Sequence, residues 1–288
     1  MSKEWSKKVQ SSEILYNSRV ARFNEYNSDK WLEILGIKDG DKVLDVGCAG
    51  GAFCVAIKKC CPNCEVYGID LDENHIQFAK QKAKELGLDI KYDVADIAEL
   101  PFEDEMFDVV YSHTVVEHVP FDVFVKEQKR VLKTGGTITI STVDSKGKTD
   151  QPFDYLDEEI TAIYRSLEMK NDKPPYVAKF YEQPNRTMQR LAEYDFKNID
   201  LRYDRVFYYS PDTAKTIKQA EYEILTDYEC SKANAEFNLG LAVNGGEYGE
   251  QLLDLLHKQY QKRMDMLNSG EKIFDYISTV VATISAQK

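Results

Sequence analysis

Positive charge is scarce in this chain. Its 288 residues include 37 lysines and arginines against 49 aspartates and glutamates, a formal net charge of −12 with a pI near 5.0. Nucleic-acid binders draw most of their affinity from basic side chains on phosphates. No basic stripe stands out, so nucleic acid is not an expected partner. Long apolar runs are missing too. The longest late one, Ile277 to Ala286, is rich in Ser and Thr and falls short of the roughly 20 residues that span a bilayer. Met1 to Gln10 is polar and charged, so no signal peptide is expected. The expectation is a cytoplasmic protein with no membrane partner. The six cysteines do not make a disulfide framework. Cys60-Cys61-Pro62-Asn63-Cys64 holds one C-x-x-C, but no second pair has zinc-ligand spacing and Cys230 stands alone. Reduced thiols at a helix-to-strand turn are expected there, not a metal. Internal repeats and low-complexity tracts are absent as well.

What is present is an ordered set of strand ends. At 43% hydrophobic, the chain can bury one full core with appended elements. Val43-Leu44-Asp45-Val46 is an apolar run ending in a carboxylate. It turns through Gly47-Cys48-Ala49-Gly50-Gly51 into a helical segment at Ala52-Phe53. A strand, a Gly-rich loop and a helix N-terminus bring backbone close to a nucleotide-like ligand. The next strand, Glu65 to Ile69, ends at Asp70, nineteen residues after Gly51. An acid there accepts from both ribose hydroxyls of an adenosine-containing ligand. A third strand, Ile90 to Ala95, ends at Asp96-Ile97, and a fourth, Phe107 to Tyr111, at Ser112-His113. Strands alternating with helical patterns argue for βαβ units and a parallel sheet.

The loop type narrows the ligand. A nicotinamide site wants G-x-G-x-x-G, with a diphosphate on the helix N-terminus. Here the order is Asp45-x-Gly47-x-Ala49-x-Gly51. A carboxylate ahead of the loop disfavours a dianion and suits a ligand carrying an ammonium and a sulfonium.

With these motifs the chain resembles the class I S-adenosylmethionine-dependent methyltransferases, in particular the small-molecule group that includes ubiquinone and menaquinone C-methyltransferases. The resemblance runs from about Trp31 to Val143. It rests on Val43 to Gly51, Gly68-Ile69-Asp70, Asp96 to Phe102, Phe107-Asp108-Val109-Val110, Glu117-His118-Val119 and Arg130 to Gly136. It implies a Rossmann-like α/β fold, a seven-stranded sheet with an antiparallel last strand, capped by helices. Residues 1–36 would be cap helices and 37–288 the methyltransferase domain, with a lid inserted at 145–183 and a helical insertion at 211–269. The implied reaction is methyl transfer from S-adenosylmethionine to an O, N or C atom of a small molecule, leaving S-adenosylhomocysteine. A non-catalytic S-adenosylmethionine-binding protein and a nicotinamide-dependent oxidoreductase are the rival readings, and the loop spacing argues against the second.

The resemblance also implies roles. Asp70, with Leu71 beside it, would hold the ribose. Asp45 would order the loop and meet the amino group, with Gly47, Cys48 and Gly51 along the methionine part. Ala49 replaces a frequent glycine, a change tolerated if its φ is negative. Asp96 would accept from the adenine amine and Ile97 pack on the ring. In the cap, Arg22 would fork onto the methionine carboxylate with Tyr16 assisting. Methyl transfer needs alignment more than a base. His113 and His118 are nonetheless the candidate catalytic groups, with a cofactor contact and an anchor for the loop as their respective alternatives. Tyr155, Tyr164, Tyr176 and Tyr181 in the first insertion, and Tyr203, Tyr208 and Tyr209 near the sixth strand, are candidates to line an acceptor pocket. The lid would hinge near Ser145-Lys146-Gly147 and Pro174-Pro175.

Local patterns complete the expected layout. Ser28 to Leu35 reads as a helix with Ser28 as N-cap and Gly36 beyond it. Asp72 to Leu86 has Ile76, Ala79, Ala83 and Leu86 on one face. Phe121 to Leu132 is helical and Thr137 to Thr142 a strand. Helices follow near Asp157 to Leu167 and Glu182 to Ala192. Asn198 to Tyr209 alternates like a strand, with Ile199, Leu201, Tyr203, Phe207 and Tyr209 on one face. Asp195, before Phe196, stands where the family usually has Gly. In the largely helical 211–269 segment, Leu252, Leu256, Tyr260, Met264 and Leu267 form a stripe, stopped at Ser269-Gly270. Ile277 to Ser285 reads as the final strand.

Overall fold

The computed structural model describes residues 3–151, 155–170, 174, 176–209, 215–274 and 276–288. Its centre is a seven-stranded sheet in the order β3-β2-β1-β4-β5-β7-β6. Parallel pairing joins β1 (Lys42–Val46), β2 (Glu65–Asp70), β3 (Lys91–Val94), β4 (Phe107–His113) and β5 (Leu132–Gln151). β7 (Tyr276–Gln287) runs antiparallel between β5 and β6 (Lys197–Tyr209). Helices α4 (Ala52–Cys60), α5 (Glu73–Glu85) and α6 (Phe121–Val131) connect the parallel strands, and α8 (Pro184–Glu193) leads into β6. Because both faces are covered, β1 and β4 are buried almost throughout rather than alternating. One core cluster includes Leu35, Ile57, Ile76 and Tyr111; the other includes Leu44, Phe107, Phe124 and Leu132.

Outside this core lie α1 (Trp5–Lys8), α2 (Ser12–Val20) and α3 (Ser28–Leu35) at the N-terminal end, and α7 (Tyr155–Ser166), α9 (Ile217–Leu241) and α10 (Gly245–Ser269). The last three share a separate apolar cluster of Leu156, Ile160, Ile163, Ala235, Leu252 and Leu256. An ion pair sits beside it: Arg263 Nη1 lies 2.7 Å from Asp227 Oδ2, with the side chains 5% and 15% exposed. Phe23, Trp31 and Phe53 meet one another through tilted and edge-on ring contacts, tying the cap to the core.

Several expectations need correction. Ser28 is the first residue of α3, not its cap. Asn27 takes the cap position without capping, because its side chain bonds Asn24 N and Arg22 O within the preceding turn. Leu86 leaves the buried face of α5, since the chain departs there toward Gly87 at φ 65°. Ala49 has φ 47°, in the left-handed region rather than at negative φ. Asp195 holds the left-handed conformation (φ 62°) that a glycine would adopt more easily. Tyr203 is 56% exposed, beyond Ile199 and Leu201, which pack with Met188 and Leu191 of α8. The strand expected over Thr137 to Thr142 runs on to Gln151, because β7 keeps pairing with it past a register shift between Asp144 and Thr149. Ser145 to Gly147 falls within that register shift of β5, and Pro175 of the second expected hinge lies outside the described residues. Cys61 and Cys64 are free thiols with sulfurs 2.9 Å apart, and burial pushes the Cys64 thiol up to about 12. No helix among the described residues is long and apolar enough to cross a membrane.

Removing one partner of a buried ion pair strands the other charge, a loss larger than the pair's net contribution. Arg263→Met should therefore destabilise the protein by about 3 kcal/mol in chemical denaturation, and Asp227→Leu in the same chain should restore most of it. A double variant no more stable than the single one would show that the pair does not govern this bundle.

Candidate functional site

The loop after β1 is laced to the end of β2. Gly47 turns at φ 73°, and the N–H groups of Gly47 and Cys48 both donate to Ile69 O, at 2.8 and 2.9 Å. Ala49 then points its N–H at Asp70 Oδ2, 3.0 Å away, which is why it takes a positive φ. Gly51 N donates to Cys48 O, and Gly51 (φ 80°) is the N-cap of α4. Four loop N–H groups are thus consumed internally. A phosphate cradle needs such groups aimed outward. With these four taken, the nearby Asp45 and Asp70 carboxyls make a surface suited to cationic groups.

Asp45 and Asp70 are buried side by side under it. Burial raises the Asp45 carboxyl to about 7, with Cys54 Sγ donating to its Oδ2 and opposing the shift. Asp70 is raised by burial against the backbone bonds it accepts from Asp72 and Ala49.

Both acids face a cavity of about 460 Å³ at the C-terminal edge of the sheet. This is where open α/β sheets bind ligands. Its floor includes Asp45, Gly47, Cys48 and Asp70; His113, Thr114 and His118 form one wall. The cap supplies Trp5, Arg19 and Arg22. Arg22 Nη1 donates to His113 Nε2 at 2.6 Å, so Nε2 is the acceptor nitrogen and the ring proton sits on Nδ1. Burial first, then Arg22 and Arg19, holds His113 well below the usual imidazole range. His118 accepts from Ala178 N at 2.9 Å through Nδ1 and packs edge-on against Trp5. Burial brings it down to about 4. Both rings are neutral near pH 7, and each already uses a nitrogen as an acceptor from the protein. Glu117, next to His118, is raised by burial to about 7, with Thr142 Oγ1 3.4 Å from its Oε1.

Five residues assigned from sequence stand outside the cavity wall. Gly51 lies behind the loop, where a Cβ would meet Tyr92 and Ala79. Tyr16 stacks on Phe78. Leu71 is half-buried. Asp96 is exposed and bonds Ala98 N, while Ile97 is buried in the second core cluster. Among the described residues no tyrosine lines this cavity. Tyr164 packs into the α7, α9 and α10 cluster, and Tyr181 is exposed like Tyr203. Tyr176 lies against Trp5 without reaching the wall. The side chains of Tyr155, Tyr208 and Tyr209 lie outside the described residues.

The roof also comes from an unexpected place. Asn234, Phe237 and Asn238 of α9 close the cavity, while the first insertion contributes Val177. Sequence reasoning missed these residues, together with Arg19, His75 and Phe53. Arg19 lies three residues before Arg22 on the same helical segment, a spacing that would have suggested it. The α9 residues look like an ordinary polar helix face and gave no signal.

A family model described as a methyltransferase domain matches residues 37–186. Demethylmenaquinone methyltransferase of Staphylococcus aureus is 32% identical over 164 residues, covering 56% of this chain. The chain spans 63% of the length of that relative. Phosphoethanolamine N-methyltransferase 2 of Haemonchus contortus, solved with phosphomonomethylethanolamine and S-adenosylhomocysteine, has a TM-score of 0.55 at 17% identity, covering 100% of this chain and 60% of that one. The YcgJ protein of Bacillus subtilis has a TM-score of 0.50 at 16% identity, covering 92% and 99% respectively. These two structures share the fold.

The raised Asp45 makes a stability prediction. An Asp carboxyl in an unfolded chain titrates at about 3.9, so the folded state holds this proton more tightly. Its contribution is full below the unfolded value and is lost as pH rises through about 7. Asp45→Asn removes that loss. The melting temperature of the variant minus that of the parent should increase between about pH 4 and about pH 7 and level off above that in ligand-free protein. A constant difference would mean that Asp45 ionises normally.

Proposed function

This chain belongs to the methyltransferase-domain family matched by its residues 37–186, and we propose that it binds S-adenosylmethionine and transfers the methyl group to an oxygen, nitrogen or carbon of a small molecule. The observation that carries this reading is the meeting of Asp45, Asp70 and a loop that uses the Gly47, Cys48, Ala49 and Gly51 N–H groups internally in one roofed cavity. The buried acids accept from hydroxyls or an ammonium, and the loop carbonyls tolerate a sulfonium. A diphosphate would meet acceptors where it needs donors. The residues present fit the cofactor at its ribose and amino-acid ends.

In this reading Asp70 holds the ribose, Asp45 the amino group, and Arg22 with Arg19 the carboxylate, while Gly47 and Cys48 run along the methionine part. Asp96, Ile97 and Leu71 would meet the adenine end outside the enclosed cavity. The cofactor supplies an activated methyl carbon. The protein's work is to align acceptor, methyl and sulfur and to keep water out, which can account for several kcal/mol. His113 is a positioning residue, held by Arg22 beside the loop. His118 anchors the segment at Ala178. The acceptor occupies the side bounded by Trp5, His118, Val143, Val177 and Phe237. A volume of about 460 Å³ lies in the range of small-molecule pockets, roughly 300–1,000 Å³. The enclosed geometry favours a small acceptor over a folded protein or a duplex.

Two measurements test this. S-adenosylhomocysteine should bind in titration calorimetry while NAD and NADP do not. Below pH 7 its affinity should fall by up to about tenfold per unit, because Asp45 must lose a proton to meet the ammonium. Asp45→Asn should bind more weakly with no such slope. Tight NAD binding, or the same slope in the variant, would sink the assignment. Once screening identifies an acceptor, Phe237→Ala should raise its KM by about tenfold and leave the affinity for S-adenosylhomocysteine unchanged. An unaltered KM would remove α9 from the acceptor site.

A further inference from the structure

The N-terminal end of α5 is where the cap is fastened to the core. Ser6 N donates to Asp72 Oδ2 at 2.7 Å, and Asn74 Nδ2 donates to Ser6 Oγ at 3.0 Å. One residue further on, His75 Nδ1 is hydrogen-bonded to Ser12 Oγ, in the first turn of α2, at 2.8 Å. The same segment begins with Asp70, whose Oδ1 accepts from Asp72 N at 2.9 Å. His75 contributes to the cavity wall together with Asp70, yet is only 1% exposed. Its second nitrogen, Nε2, is buried with no hydrogen-bond partner among the described residues. Burial, against the pull of Asp70 and Asp72, holds the ring below the usual imidazole value, so it is neutral near pH 7. Buried polar atoms in folded proteins almost always have a partner, and an orphan on a cavity wall calls for one from a ligand.

We propose that His75 is a second ribose-binding residue and that, with Ser12 on its other nitrogen, it couples cofactor binding to the seating of the α2 cap. This rests on the S-adenosylmethionine reading of the cavity. The chemistry is complementary. An ionised Asp70 only accepts hydrogen bonds, so it takes the proton of a ribose hydroxyl and leaves that oxygen's lone pairs unused. When Ser12 Oγ–H donates to Nδ1, the imidazole proton sits on Nε2, which then donates to those lone pairs. One hydroxyl is satisfied on both sides. The consequence reaches the other end of the cofactor, because α2 leads directly to Arg19 and Arg22. A ribose that fixes His75 fixes Ser12, and with it the helix that delivers the two guanidinium groups.

The side chains that mimic each nitrogen separately provide the test. Gln carries an amide at the level of Nε2, Asn at the level of Nδ1. Affinities for S-adenosylhomocysteine and its 2′-deoxy and 3′-deoxy analogues are measured by calorimetry on parent, His75→Gln, His75→Asn and Ser12→Ala. Hydrogen exchange over residues 12–20 is followed with and without S-adenosylhomocysteine. His75→Asn should weaken S-adenosylhomocysteine roughly tenfold, as expected for one lost hydrogen bond, and should shrink the penalty for one of the deoxy analogues. His75→Gln should retain both the affinity and the penalty. Ser12→Ala should keep the penalty but lose the cofactor-induced protection of α2. If the His75 variants fail to fold, the parent and Ser12→Ala decide the matter. Equal protection of α2 in those two proteins overturns the coupling. Equal deoxy penalties in parent and His75→Asn overturn the ribose contact. A parent that binds no S-adenosylhomocysteine at all overturns the cofactor assignment itself, a result distinct from either.

Discussion

The carbonyl of Ile69 accepts the N–H groups of both Gly47 and Cys48, and the site is built outward from this pair of bonds. They stitch the loop after β1 to the end of β2, which sets the distance between the two strand ends. With the loop held there, Ala49 N reaches the Asp70 carboxylate and Asp45 is sealed beneath. A loop tied down in this way presents the wrong polarity to a phosphate and the right one to a cation. In the proposed reading, selectivity between adenosine cofactors joins the Asp45 and Asp70 carboxyls to the internal use of four backbone protons.

The electrostatics follow from the same arrangement. Two carboxyls buried together resist ionising, as the raised Asp45 shows, and a cationic ligand group relieves the cost. Hydrogen bonds to charged groups in such a setting contribute about 1.5–3 kcal/mol. The exposed helix pairs Glu4–Lys8 and Asp254–Lys258 belong to a class worth about 0–1 kcal/mol. The charges that matter are therefore the few the fold has removed from water: Asp45 and Asp70 below the cavity, Arg22 above it, and Asp227 with Arg263 inside the helical bundle.

The parallel half of the sheet was legible because its signals are local. An apolar run, a carboxylate and clustered glycines occupy eleven consecutive residues, and each later strand end adds a polar mark within a residue or two. What was not legible depends on partners far along the chain. The φ of Ala49 is dictated by Asp70. The fifth strand runs past Thr142 because β7 resumes pairing at Thr149. Which insertion covers the site depends on how α9 lies over α2, and Asn234 and Asn238 on a polar helix face resemble solvated residues. Arg19 and His75 were missed for a related reason: a cap residue and the α5 residue beneath the cap become site residues only through the docking that Ser6, Ser12 and Asp72 provide. Asp96 and Ile97 were readable as a motif, but the enclosed part of the cavity stops short of them.

The position of β7 gives the chain a timetable. This strand is formed by residues 276–287, yet it lies between β5 and β6, and among the described residues β6 pairs with no other strand. During synthesis β6 emerges nearly seventy residues before this neighbour. Until then the right-hand side of the sheet stays open, with the edges of β5 and β6 both unpaired. Non-local pairings of this kind form slowly and leave edges exposed to other chains. α9 and α10 are made within that interval. α9, which roofs the cavity, is thus available before the sheet beneath it is complete.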